Sequence, residues 1–175
     1  PIVNKLESSI LGVITFDEVT TNCKSTVVDE GALLARQAKC NLIVGVGGKT
    51  VLNVAKAISF LAGNTGFIRD YFEGEKPKNR GLPCLAIPTI PSTSAETTGD
   101  FILLDEYESM QRIFEMEGMP AYPHTAVIDP RVTLSLPHKY MVASGVQVLA
   151  NAIECYISTK ANPISDALAV KAVEF

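Results

Sequence analysis

The sequence is poor in the residues that build metal centres and in the charge that binds nucleic acid. It holds two histidines, His124 and His138, and four cysteines, Cys23, Cys40, Cys84 and Cys155. The cysteines stand too far apart for a C-x-x-C zinc pattern or a dense disulfide framework, so they read as buried free thiols of a reducing cytoplasm. Lone histidines are more often surface or structural residues than ligands, and His138 reads as a surface residue. Only 19% of the residues are charged and the formal net charge is −4, with no run of Lys or Arg. That excludes the electrostatic footprint of a nucleic-acid binder. No apolar stretch reaches the roughly 18 to 20 residues that cross a bilayer. No charged leader precedes an apolar run, and the first residue is proline rather than methionine. What remains is a chain of 175 residues, 47% hydrophobic, long enough to bury a substantial core and suited to small-molecule partners.

Apolar spacing switches repeatedly between the strand and helix periods. Residues 1–10 read as the tail of a helix, and "LGVITFDEV" after them as a strand. "STVVDEGALLARQAKC" places Val27, Val28, Gly31, Leu34 and Ala38 at helical spacing, with Ser25 or Thr26 as N-cap. "NLIVGVGG" and "GLPCLAIPT" read as short strands buried on both faces, separated by the helix "KTVLNVAKAISFLA" and a polar surface connection at 73–81. Residues 97–116 read as a β-hairpin turning near Asp105 to Ser109, inserted on a sheet edge, and "TAVIDP" as one more strand. Strands alternating with helices predict an α/β fold with a parallel sheet over residues 1–133. From Ser135 onward the pattern is helical. One helix starts at Ser135 and Pro137 and carries a stripe of Val142, Val146, Leu149, Ile153 and Tyr156. A second starts at Asn162-Pro163 and carries Ile164, Leu168 and Val173. Gly145 inside the first helix predicts close packing or backbone access. Two helices cannot close such faces, so residues 134–175 read as the beginning of a truncated helical domain that associates through these stripes.

Two loops invite chemistry. In "GVGGKT", Gly45, Gly47 and Gly48 sit where a buried strand meets a helix; the turn is either a diphosphate cradle at a helix N-terminus or simply a tight turn. Lys49 lacks the spacing of a nucleoside triphosphate loop. In "IPTIPSTSAETTGD", the hydroxyls of Thr89, Ser92, Thr93, Ser94, Thr97 and Thr98 follow a strand end, where parallel sheets place ligands; the plain alternative is a solvated turn.

These motifs, in this order, resemble the iron-containing alcohol dehydrogenase family, which includes glycerol dehydrogenases and a hydroxyacid-oxoacid transhydrogenase. The family turn "GGGSxxDxAK" is similar to Gly47, Gly48, Lys49, Thr50, Asn53, Ala55 and Lys56. The family loop "PTTxGTGSExT" is similar to Pro88, Thr89, Ile90, Ser92, Thr93, Ser94, Ala95, Glu96 and Thr98. "AVIDPRVTLSLP" resembles the family's entry to its helical domain. The resemblance implies a Rossmann-like nucleotide domain whose first strand precedes this sequence, joined to a helical domain as in dehydroquinate synthase. It implies NAD or NADP on Gly47, Gly48, Lys49, Thr50, Thr89, Thr93 and Ser94, and the interconversion of an alcohol with an aldehyde or ketone in a homo-oligomeric, cytoplasmic enzyme. It also implies Fe2+ or Zn2+, but the family's "GxDxLxHAxE" ligands correspond to Gln147 and Asn151 in "GVQVLANAIE", two neutral amides. With Glu154 they read equally as a polar helix stripe, and no residue stands out as catalytic. Two rivals therefore stand beside the dehydrogenase: a catalytically silent nucleotide-binding or regulatory homologue, and a metal-independent polyol or sugar oxidoreductase.

Overall fold

The computed structural model describes residues 4, 7, 8, 12–115 and 121–174. The expected helix over 1–10 lies mostly outside these, though Asn4, Glu7 and Ser8 are helical. The elements are α1 (Ser25–Gln37), β1 (Ile43–Gly47), α2 (Lys49–Ala62), a short α3 (Ile68–Phe72), β2 (Cys84–Pro88), β3 (Phe101–Asp105), β4 (Met110–Phe114), β5 (Thr125–Ala126), a 3-10 turn (Pro130–Thr133), α4 (His138–Ile157) and α5 (Pro163–Glu174). Strands β1, β2 and β5 form a parallel sheet in that order, with Ile43 opposite Cys84 and Gly47 opposite Pro88.

Helix α2 is the spine of the molecule. Every residue from Leu52 to Leu61 is buried, because the helix packs on β1 and β2, on α1, and on the hairpin strand β3. A helix apolar on all sides belongs in such a place. Around Phe60 the core is aromatic: its ring meets Tyr71 edge-on at 5.0 Å between centroids and Phe114 at 4.8 Å, while Phe101 and Phe114 stack at 4.6 Å.

Several expectations are corrected. The strand expected over 11–19 does not form over its described residues: Gly12–Val19 has no regular structure, and Phe16 and Val19 pack against the core without a backbone ladder, while Leu11 lies outside the described residues. Strand β1 is not buried on both faces: only Gly45 is fully buried in it, and the other four residues are half-buried. The hairpin is a separate two-stranded antiparallel sheet, Phe101 opposite Phe114, rather than an addition to the parallel one. It is tied instead to the start of α1, where Leu104 N–H donates to Cys23 O at 3.0 Å and Lys24 pairs with Glu106 at 2.8 Å. That attachment also explains the α1 terminus: Lys24 is the N-cap residue, while the Thr26 hydroxyl donates to the Glu106 carboxylate and caps nothing. Only Cys23 and Cys84 are buried thiols; Cys40 is half-buried and Cys155 exposed. No close contact surrounds Gly145, where a side chain would meet open space.

Helices α4 and α5 pack on each other, with Ala152 and Ala169 as their buried apolar residues. The α5 start is capped as its sequence demands: Asn162 Oδ1 accepts from the N–H groups of Ile164 and Ser165. Their apolar stripes are uncovered among the described residues, with Val146 63% and Leu168 67% exposed. None of the described helices is long and apolar enough to cross a membrane.

Candidate functional site

The parallel pairing of β1 with β2 brings two loops to one end of the sheet. Because Gly47 lies opposite Pro88, the chain leaves both strands side by side, and Thr89 N–H donates to Gly47 O at 3.0 Å. Gly48 occupies the N-cap position of α2 in extended conformation and offers no side-chain cap, so the first N–H groups of the helix are left without one. Such groups bind anions well. A Cβ on Gly48 would lie 3.1 Å from Ile90 Cδ1, which puts the glycine turn in van der Waals reach of the hydroxyl loop. A Cβ on Gly47 would lie 2.7 Å from Val51 Cβ, so glycine is required there for the turn to close on α2 whatever else it does.

Lys49 is exposed and Thr50 half-buried at the helix start, with Thr89 half-buried across from them. Thr93 is buried, and its hydroxyl donates to the Glu96 carboxylate, while Ser94 is exposed with φ +55° and its carbonyl accepts from Thr97 N–H at 3.0 Å. The loop is therefore held by its own hydroxyls at one end and open at the other.

Lys56 was missed as a structural element of the site by sequence reasoning beyond its place in the family turn. It is 1% exposed, and its ammonium donates to Thr98 O at 3.1 Å, to Thr98 Oγ1 at 3.2 Å and to Asp100 O. It thereby pins the far end of the hydroxyl loop to α2. Burial pulls its pKa from the ordinary 10.5 to about 8, against the attraction of Asp100. The available signal was a single cation inside the otherwise apolar run "VLNVAKAISFLA", with Asn53 and Ser59 as its only polar neighbours at helical spacing.

Gln147 and Asn151 lie one turn apart on α4, both exposed, as is Glu154. Gln147 Oε1 accepts a hydrogen bond from the buried Ser92 hydroxyl at 2.9 Å, which joins the hydroxyl loop to α4. These residues do not fit the family's divalent metal. Two neutral amides bring no charge, one oxygen is already engaged, and the described residues hold no cluster of three His, Cys, Asp or Glu side chains. His124 and His138 are exposed.

With this geometry in view, the comparisons with known proteins are direct. Residues 1–130 match the family described as iron-containing alcohol dehydrogenase, and residues 141–175 match its C-terminal part. A choline dehydrogenase of Bacillus subtilis is 35% identical over 100% of this chain and 44% of its own. Among solved structures, a sulfoacetaldehyde reductase of Bifidobacterium kashiwanohense in complex with NAD+ superposes with a TM-score of 0.90 at 28% identity, covering 99% of this chain and 46% of that one. An iron-containing alcohol dehydrogenase of Thermotoga maritima does so with a TM-score of 0.84 at 32% identity, covering 97% and 46%. The chain thus spans less than half the length of these relatives. Its glycine turn, its hydroxyl loop and its fold place it together with them: the chain belongs to the iron-containing alcohol dehydrogenase family.

Proposed function

We propose that this chain forms the dinucleotide-binding part of an oxidoreductase that interconverts a small alcohol with an aldehyde or ketone, with NAD or NADP as the hydride carrier. The carrying observation is the glycine turn set against the hydroxyl loop at the carboxyl ends of β1 and β2, joined by the Thr89 to Gly47 hydrogen bond. In this reading residues 1–133 are the nucleotide-binding unit and 134–175 open the helical unit.

The dinucleotide, when bound, supplies the hydride acceptor at its nicotinamide ring. The chain's own residues position it. Gly47 and Gly48 let backbone approach the diphosphate, the uncapped N–H groups of α2 donate to it, and Lys49 and Thr50 stand beside it. Thr89 and Ser94 face the remainder. Thr93, bonded to Glu96, holds the loop in shape, and Lys56 fixes its far end. No step is assigned to a metal, because Gln147 and Asn151 do not suit one. Association through the uncovered faces of α4 and α5, as in a homo-oligomer, completes the reading, and sedimentation of the full-length protein measures it.

The test is alcohol-dependent reduction of NAD and NADP by the full-length protein, with short alcohols and diols, in the presence and absence of a chelator. Turnover with either nucleotide is expected. Absence of turnover together with absence of dinucleotide binding would overturn the reading.

A further inference from the structure

We propose that Gln147 is a positioning residue for the dinucleotide loop: its side-chain oxygen, held by the Ser92 hydroxyl, fastens that loop to α4 at the helix position where the resembled motif carries a metal ligand. The two residues stand 55 apart in sequence, and Ser92 Oγ donates to Gln147 Oε1 at 2.9 Å. Ser92 is 7% exposed. Leaving a buried hydroxyl without a partner is costly, so this bond is a fastening rather than a chance meeting of two surface side chains.

Both partners depart from the motifs that this chain resembles, and they depart as a pair. In "PTTxGTGSExT" the position of Ser92 is a glycine, which has no side chain to donate from. In "GxDxLxHAxE" the position of Gln147 is an aspartate. This chain therefore has a hydroxyl donor where the loop motif has none and, bonded to it, a neutral acceptor where the helix motif has an acid. A metal ligand commits its oxygen lone pairs to the cation, whereas this oxygen is committed to a hydroxyl. The residue that does not suit a metal has a different task, and its partner is built to match it.

The surroundings show what the fastening positions. Among the described helices and strands only α5 packs extensively on α4, so the Ser92 bond links two units that element packing does not lock together. Ser144 and Gln147 lie at i and i+3 on α4, one face of the helix, and Ser144 is 5% exposed, so this face is the one turned inward. The loop is held at three places: Thr89 N–H to Gly47 O at its start, Ser92 to Gln147, and Lys56 to Thr98 O at its end. Thr89 and Ser94, assigned above to the dinucleotide, flank the middle one. Gln147 thereby helps to fix where they stand relative to the glycine turn, and nucleotide binding becomes coupled to α4. Such coupling is reciprocal, so a bound nucleotide steadies α4 in turn. The inference rests on the dinucleotide reading for its ligand.

The experiment is titration of the full-length protein with NADH and NADPH, repeated on Ser92→Ala, Gln147→Ala, their double variant and Gln147→Glu, with amide hydrogen exchange over 144–151 measured in the parent and in Ser92→Ala, each with and without nucleotide. Gln147 is exposed, so its variants fold as the parent does, which circular dichroism checks. Each single truncation is expected to weaken nucleotide affinity about fivefold, the worth of one neutral hydrogen bond, and the double variant to be no weaker than either. Gln147→Glu keeps an acceptor oxygen at the same reach and should restore affinity at high salt, where its charge is screened. Nucleotide should slow exchange over 144–151 in the parent and not in Ser92→Ala. Unchanged affinity in the truncations, losses that add in the double variant, or exchange in the parent that nucleotide leaves unaltered would each overturn the inference while the dinucleotide reading stands. A folded parent that binds neither nucleotide overturns that reading, and the inference with it.

Discussion

Replacing Lys56 by methionine should change how stability depends on pH, in a direction that the structure fixes. Methionine keeps the length and apolar stem of lysine and removes the ammonium that Thr98 O, Thr98 Oγ1 and Asp100 O accept from. In the folded protein burial lowers this pKa from 10.5 to about 8. Between those values the unfolded chain holds the proton and the folded chain does not, so the group's contribution raises stability as pH rises. Each pH unit of displacement is worth about 1.4 kcal/mol, which gives a span of about 3 kcal/mol for this one side chain. Burial also pushes the Cys84 thiol up from 9.0 to about 11, which works the opposite way: stability falls as the unfolded thiol ionises first. The Lys56 ammonium itself draws the Cys84 pKa down, so Lys56→Met pushes that thiol further up and adds to the gap between the two proteins in the same direction. Urea unfolding followed by circular dichroism, from neutral pH to about 10.5, should therefore show wild type gaining on Lys56→Met by up to about 3 kcal/mol above pH 8, with a constant difference below it. Parallel stability curves across the whole range would refute the claim that Lys56 is held as a desolvated cation.

Gly47→Ala forces a Cβ to within 2.7 Å of Val51 Cβ, an atom fixed to the helix backbone, and should cost about 1 to 3 kcal/mol while weakening dinucleotide affinity; thermal unfolding and NADH titration check both. Asn64→Leu should lower stability by about 2 to 4 kcal/mol in urea, because Asn64 donates to Phe60 O and Asn79 O and accepts from the N–H groups of Lys78 and Asn79. In the full-length protein, Gln147→Asp combined with Asn151→His should raise affinity for zinc or iron(II), since it replaces two neutral amides by a carboxylate and an imidazole on adjacent turns. Elemental analysis after gel filtration measures it, and near-stoichiometric metal in the parent that is lost on Gln147→Ala would refute the misfit.

The elements that sequence conveyed best are those whose period is enforced by packing on a single body. Helix α2, β1 and β2 were legible because apolar runs end in glycine or proline where the chain must turn, and α5 because Asn162-Pro163 caps and starts a helix by itself. Gly12–Val19 misled because alternating apolar residues look the same in a strand and in an extended segment that merely rests Phe16 and Val19 on the core. Thr26 looked like a cap because its competitor, Glu106, lies 80 residues away. The five-residue α3 carried too little periodicity to be seen. In the site, glycines and hydroxyls were visible as local composition. Lys56 reaching residues 98–100, Ser92 reaching Gln147, and the hairpin closing a cavity over Asn53 depend on distant chain segments, and no local pattern encodes them.

The central claim is that a nicotinamide dinucleotide binds across the adjoining Gly47-Gly48 turn and Thr89–Ser94 loop. Fluorescence titration of the full-length protein with NADH and NADPH, competed by ADP-ribose and repeated on Gly47→Ala, tests it most directly. Saturable binding of at least one of the two, displaced by ADP-ribose and weakened by the substitution, is the predicted result. A folded parent protein that binds neither nucleotide, or binding that Gly47→Ala leaves untouched, would contradict it.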